Sequence, residues 1–111
     1  MWLYRWLTKL RHLPDMAFYT YIMACNSNTA IYIGVASNLQ LRVEQHRLGA
    51  GGTHTAKYKI RKLVYFEVYE TLPEALAREN KLKRWRRDWK NDLIAKQNPM
   101  WADLAMEASF L

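Results

Sequence analysis

Two tyrosines, an arginine and a histidine stand at spacings from which one reactive site could be built. Tyr21 lies in Tyr19-Thr20-Tyr21-Ile22, Tyr32 lies in Ile31-Tyr32-Ile33-Gly34, and Arg42 and His46 follow on the same face of one segment. Phenol and imidazole groups take, give or relay protons, and a guanidinium is a fixed cation suited to a developing anionic charge. With a metal-binding carboxylate from elsewhere in the chain, this inventory meets the needs of phosphodiester cleavage. A phenol with pKa near 10 is only about 0.1% ionised at neutral pH, so a basic tyrosine needs positive charge or a relay beside it. His46, the side chain that titrates nearest neutrality, is the natural relay. The plainer readings are that Tyr21 and Tyr32 are ordinary strand aromatics and that Arg42 forms a surface ion pair with Glu44 or Glu70.

The elements that must position these groups follow from periodicity and punctuation. Residues 18–24 and 30–35 are aromatic and β-branched runs separated by Asn26-Ser27-Asn28-Thr29, which predicts a β-hairpin with the two tyrosines on adjacent strands. Ser37 with Gln40 three residues on is a capping box, predicting a helix to about Leu48 before Gly49, Gly51 and Gly52. Arg42 and His46 then share one helical face. A loop carrying His54, a solvated residue on this reading, precedes a third strand over 62–70, with Val64, Phe66 and Val68 expected on one face. Thr71 and Glu74 frame a second capping box around Pro73, launching a helix through at least Trp85, and a shorter helix follows to about Lys96, ended by Asn98-Pro99. The expected architecture is an α/β (α+β) domain in ββαβαα order, a three-stranded antiparallel sheet flanked by three helices.

The second long helix carries a candidate for that carboxylate. Ala75, Leu76, Leu82 and Trp85 mark its inward stripe, and Glu79 falls within that stripe rather than on the charged face. Burying an unpaired charge is costly, so Glu79 needs a divalent cation, an arginine such as Arg42, or water beside it. A single carboxylate suits a weakly held Mg²⁺ that keeps most of its waters and completes its shell with phosphate oxygens. Downstream, Lys81, Lys83, Arg84, Arg86, Arg87 and Lys90 form a basic stripe interleaved with Trp85 and Trp89. Such a stripe is either a solvated helix face or a track for a phosphate backbone, which it would hold without reading sequence.

Composition narrows the class. The 111 residues make one ordinary domain, and 17 Lys and Arg against 10 Asp and Glu leave a net charge of +7, which favours a polyanionic partner. The single cysteine, Cys25, excludes an internal disulfide and a multi-cysteine metal site, and fits a reducing cytoplasmic home. No stretch approaches the roughly 18 apolar residues of a membrane span, so stable membrane insertion is not expected. Residues 1–15 place Trp2, Leu3, Trp6, Leu7, Leu10 and Leu13 at spacings of three and four among Arg5, Lys9, Arg11 and His12, a basic amphipathic appendage. Met16 is an alternative start. The domain proper is expected over 16–104, with a tail at 105–111.

The spacing of Tyr21, Tyr32, Arg42 and His46 resembles that of the GIY-YIG nuclease superfamily. The segments Arg78-Glu79-Asn80-Lys81-Leu82-Lys83 and Asn98-Pro99-Met100-Trp101-Ala102-Asp103-Leu104 are similar to those of its small, stand-alone bacterial members. Thr20 departs from the pattern, standing where the first motif has glycine. The resemblance implies a Mg²⁺-dependent (or Mn²⁺-dependent) endonuclease, a hydrolase using one ion held by Glu79, with Asn98 as a late site residue. It further implies structure-preferring cleavage of DNA, with RNA as the alternative substrate, in DNA repair, recombination or nucleic-acid processing. A non-catalytic nucleic-acid-binding module on the same fold, and a protein-interaction domain using Trp85, Trp89 or Trp101, stay open.

Overall fold

The computed structural model describes residues 17–50 and 52–107. The appendage expected over 1–15 and the last four residues lie outside them. The element order is β1 (Phe18–Ala24), β2 (Ile31–Ala36), α1 (Leu39–Arg47), α2 (Thr53–Lys57), β3 (Lys62–Tyr69), α3 (Leu72–Arg84), α4 (Arg87–Gln97) and α5 (Leu104–Glu107). The expected three-stranded antiparallel sheet is present, with β1 central in the order β2-β1-β3. The three expected helices are α1, α3 and α4. Two short ones add to them, and α2 replaces the loop expected around His54.

Alternation along the strands builds two cores, one on each face of the sheet. Tyr21, Met23, Leu63, Phe66 and Val68 pack with Leu39 and Val43 of α1 and with Leu104. On the other face Ile22, Ala24, Ile33, Val64 and Tyr65 pack with Leu82 of α3 and Ile94 of α4. The sheet therefore lies between α1 and the α3–α4 pair. Val64 departs from the expected face. Pairing moves from Ile22 with Tyr65 to Met23 with Leu63, so β3 carries one extra residue, and the bulge turns Val64 away from Phe66 and Val68.

The caps are those of polar side chains at helix starts, with one shift. Asn38, not Ser37, caps α1, its Oδ1 accepting the Leu41 N–H at 3.1 Å. Thr71 caps α3 as expected: its hydroxyl accepts the Glu74 N–H at 3.4 Å and donates to Glu74 Oε1 at 2.8 Å. Such a cap contributes about 1 kcal/mol. The α3 helix ends at Arg84, and Trp85 and Arg86 are both extended before α4 begins. Leu76, expected inward, is 40% exposed, so the buried stripe of α3 is Ala75 and Leu82.

Candidate functional site

The hairpin register brings the two tyrosines together. Tyr21 sits opposite Gly34 while Met23 sits opposite Tyr32, so Tyr21 and Tyr32 are diagonal neighbours on one face. Their ring centroids are 6.2 Å apart. Gly34 makes this possible, because a Cβ there would lie 2.6 Å from Tyr21 Oη and 2.9 Å from Tyr32 Cε2. A Gly34→Ala protein is therefore expected to fold but to displace the Tyr21 hydroxyl, lowering any activity of the site roughly 10- to 100-fold, as small misplacements do. Circular dichroism with an activity assay on the same preparation checks this.

The α1 helix lays His46 across both rings. Tyr21 Oη and His46 Nε2 are 3.0 Å apart, and the Tyr32 and His46 ring centroids are 5.1 Å apart. His46 is fully buried, and its Nδ1 has no hydrogen-bond partner among the described residues. A buried N–H left orphaned is rarer than a bare lone pair, so the favoured tautomer carries its hydrogen on Nε2. Nε2–H then donates to Tyr21 Oη, and the Tyr21 hydroxyl proton is available to a second partner.

The charges around this pair come from two helices. Burial, then the neighbouring Tyr32, push the Tyr21 phenol above its usual value; Arg42 pulls it down and Glu79 pushes it up. The guanidinium and the carboxylate thus both act on the Tyr21 hydroxyl, although α1 and α3 pack on opposite faces of the sheet. Arg42 is half-buried, and its guanidinium has no carboxylate or hydrogen-bond partner among the described residues, so neither Glu44 nor Glu70 pairs with it. Glu79 is mostly buried, its side chain 15% exposed, and its ion-pair partner is Lys83 at 3.2 Å rather than Arg42. Among the described residues no three His, Cys, Asp or Glu side chains come together as a metal cage.

Burial, and secondly the Arg42 charge, hold the His46 pKa below 6.5. The unfolded chain therefore takes up this proton first as pH falls, so the stability linked to neutral His46 is full above about 6.5 and is lost below it. Denaturant midpoints at about pH 7.5 and about pH 5.5 are expected to fall for the wild type, and to fall less for His46→Gln.

Other expected site residues have separate structural partners. Asn98 caps α4 and is buried; its Nδ2 donates to Val64 O and Ala102 O, each at 2.9 Å, and its Oδ1 accepts the Ala102 N–H at 3.0 Å. Together with Asp103, whose Oδ1 accepts the Leu63 N–H at 3.2 Å, it holds the β3 bulge. Arg87 brackets the hairpin turn, donating to Asn28 O at 2.6 Å and Thr29 O at 2.9 Å. Lys81, Lys83, Arg84 and Arg86 are exposed, and Lys90 is half-buried. His54 is exposed on α2, its ring against Tyr58.

Two buried polar features escaped the motif reading. The Thr20 hydroxyl, fully buried, donates to Ala75 O at 2.8 Å, the carbonyl one helical turn before Glu79. Thr20 thereby ties the turn of α3 that carries Glu79 to β1 beside Tyr21. Glu67 accepts hydrogen bonds from Tyr65, from Tyr69 and from both the Nε and Nη2 of Arg78. A lone acid amid the apolar residues of β3 was the available signal for such a partner.

Comparison with known proteins adds the evolutionary context. The family described as the GIY-YIG catalytic domain matches residues 17–92. UPF0213 proteins of Staphylococcus aureus strains Mu3 and COL are each 41% identical over 76 residues, covering 68% of this chain and 92% of theirs. The solution NMR structure of the UPF0213 protein BH0048 from Bacillus halodurans superposes with a TM-score of 0.52 at 22% identity, covering 85% of this chain and 99% of that one. That last likeness is one of fold.

Proposed function

Since this chain belongs to the GIY-YIG catalytic-domain family, we propose that it is a Mg²⁺-dependent endonuclease that hydrolyses phosphodiester bonds in DNA. The observation that carries the reading is Arg42. A half-buried arginine whose guanidinium has no counter-charge among the described residues, and which acts electrostatically on both Tyr21 and His46, is poised for an anion that comes from outside.

The donor set fits one Mg²⁺ rather than a preformed cage. Glu79 supplies one mostly buried carboxylate, and Mg²⁺ commonly takes one or two carboxylates, several waters and substrate phosphate oxygens. Glu79 would hold such an ion, which would supply neutralisation of the charge that develops during cleavage. Lys83, whose side chain is 53% exposed, is free to swing from Glu79 to a neighbouring phosphate.

The remaining chemistry falls to residues of this chain. Tyr32 orients the attacking water; as the water oxygen bonds to phosphorus in line with the departing 3′ oxygen, the phenol oxygen takes the water proton and gives up its own hydroxyl proton to the His46 relay. His46, neutral at rest, is the relay beside Tyr32: its bare Nδ1 is the lone pair that can receive the phenol proton, while Nε2–H fixes Tyr21. The Arg42 fork steadies the phosphoryl oxygens as negative charge grows, and the fully buried Tyr21, bonded to His46, fixes the relay from behind. The P–O3′ bond breaks, the 3′ oxygen is protonated from solvent, and the products carry a 5′-phosphate and a 3′-hydroxyl. Lys81 and Arg84 hold the backbone nearby without reading bases.

End-labelled single-stranded, duplex, flapped and branched DNAs, with an RNA panel beside them, test this in Mg²⁺ and in EDTA. Cutting in Mg²⁺ alone supports the reading. Binding that weakens steeply with salt but never leads to cutting on any strand replaces it with a non-catalytic module.

A further inference from the structure

We propose that Trp89 and Arg86, at the start of α4, form a stacking platform for an unpaired nucleobase, so that the strand bound beside the site is single-stranded there. The proposal rests on the nucleic-acid reading of the site but not on cleavage.

The corner between α3 and α4 builds the platform. Trp85 and Arg86 are both extended, and the next helix then returns Trp89 edge-on to Trp85, with centroids 6.1 Å apart and an interplanar angle of 84°. Trp85 is the fixed wall. It packs against the core on the α3–α4 face of the sheet, and the Arg78 guanidinium lies 5.2 Å from its ring centroid, itself held by Glu67. Trp89 is the working surface, 48% exposed, with the Arg86 guanidinium 4.8 Å from its centroid.

Arg86 is held there weakly. Its partner, Asp88 at 3.1 Å, is as open to water as Arg86 itself, with side chains 66% and 68% exposed. Pairs of this kind contribute little, so a flat ligand can displace the guanidinium from the indole face. The freed Arg86 then takes the phosphate next to the base it has made way for. An indole already stacked against a cation is suited to a base, which offers every such platform a π-face.

Charge selects the occupant. Lys81, Arg84 and Lys90 flank the corner, and Asp88 is the one acid over residues 80–90. A polyanion that also carries planar rings is a nucleic acid. In a duplex those rings are covered by their neighbours, so only an unpaired strand gives Trp89 a face to stack on. Glu79 lies five residues before the end of α3 at Arg84, about 7.5 Å along the helix axis, so the platform stands at the end of the helix that carries the carboxylate.

The test is fluorescence anisotropy of labelled oligonucleotides with the full chain in EDTA, where nothing is cut. The ligands are oligothymidylate, oligouridylate, a blunt duplex and an abasic deoxyribose-phosphate strand; the proteins are wild type, Trp89→Leu and Trp89→Phe. Trp89→Leu is expected to weaken the single strands about tenfold, with duplex and abasic affinities held within about twofold and Trp89→Phe close to wild type. A loss on oligothymidylate alone assigns the platform to DNA, on oligouridylate alone to RNA, and on both to the base face shared by the two. Equal losses on duplex and abasic strands, or no loss on either single strand, overturn the proposal; the second result leaves Trp89 to a protein partner. Trp89-dependent binding by a protein that cuts nothing would sink the nuclease reading and keep the platform. Cutting with Trp89-insensitive binding would do the reverse.

Discussion

Glu79→Gln is expected to lower Mg²⁺-dependent cleavage about 10³-fold with the fold intact, because a bound metal supplies several kcal/mol at the transition state. The amide is isosteric but removes the charge that holds the cation. Its effect on the rest of the site is small. Lys83 loses an i,i+4 ion pair in which its own side chain is 53% exposed, which stabilises a helix by only about 0.3–0.5 kcal/mol. The Tyr21 phenol, which the Glu79 charge pushes up, moves back toward its usual value. Cleavage in single-turnover conditions, with thermal melts of both proteins, separates a chemical effect from unfolding. If cleavage by Glu79→Gln stayed within about tenfold of wild type, the metal would have to be held elsewhere.

Arg42→Ala is expected to cost about 10²- to 10³-fold in kcat, the range seen when one preorganised donor to a developing oxyanion is removed. The fixed fork distinguishes arginine from lysine here, so Arg42→Lys should recover only part of the loss. Stability should change little, because the guanidinium has no ion pair among the described residues to lose. The same substitution relieves His46 of one of the two influences that lower its pKa, so that pKa should rise toward 6.5. Histidine titration by NMR in wild type and Arg42→Ala would read that shift without reference to activity. A fall in substrate affinity with unchanged kcat would make Arg42 a binding residue only.

The strands and long helices were readable because their signals are local. Alternating aromatic and β-branched residues, Thr71 and Glu74 as a cap, and Asn98-Pro99 as a stop each act within a few residues. The helix over Thr53–Lys57 was missed because five residues after glycines carry too little periodicity to register. Val64 was assigned to the wrong face because a bulge inserts one residue and inverts everything beyond it, and nothing in the apolar run Leu63-Val64-Tyr65-Phe66 marks where. Leu76 fits an inward stripe by spacing, yet the helix is rotated so that Ala75 and Leu82 face the sheet.

At the site, types and spacings sufficed to bring Tyr21, Tyr32 and His46 into contact and Arg42 and Glu79 into electrostatic reach. Partners distant in sequence did not show. Arg87 read as part of a basic stripe and proves to bracket the hairpin turn, and Asn98 spends both amide hydrogens on Val64 and Ala102. Gly34 has the opposite history. It stood in the motif without a stated purpose, and the missing Cβ is what lets the Tyr21 and Tyr32 rings close over the strand. Thr20, set aside as a departure from the family pattern, supplies a hydroxyl to the helix that carries Glu79.

The most direct test of the central claim is the cleavage rate of one end-labelled DNA strand by wild type, Glu79→Gln and Arg42→Ala, purified identically and assayed with Mg²⁺ and with EDTA. The account predicts cutting by wild type in Mg²⁺ only, with both variants folded, still bound to the strand and slower by about 10²-fold or more. Equal rates in all three proteins, or cutting that persists in EDTA, would contradict it.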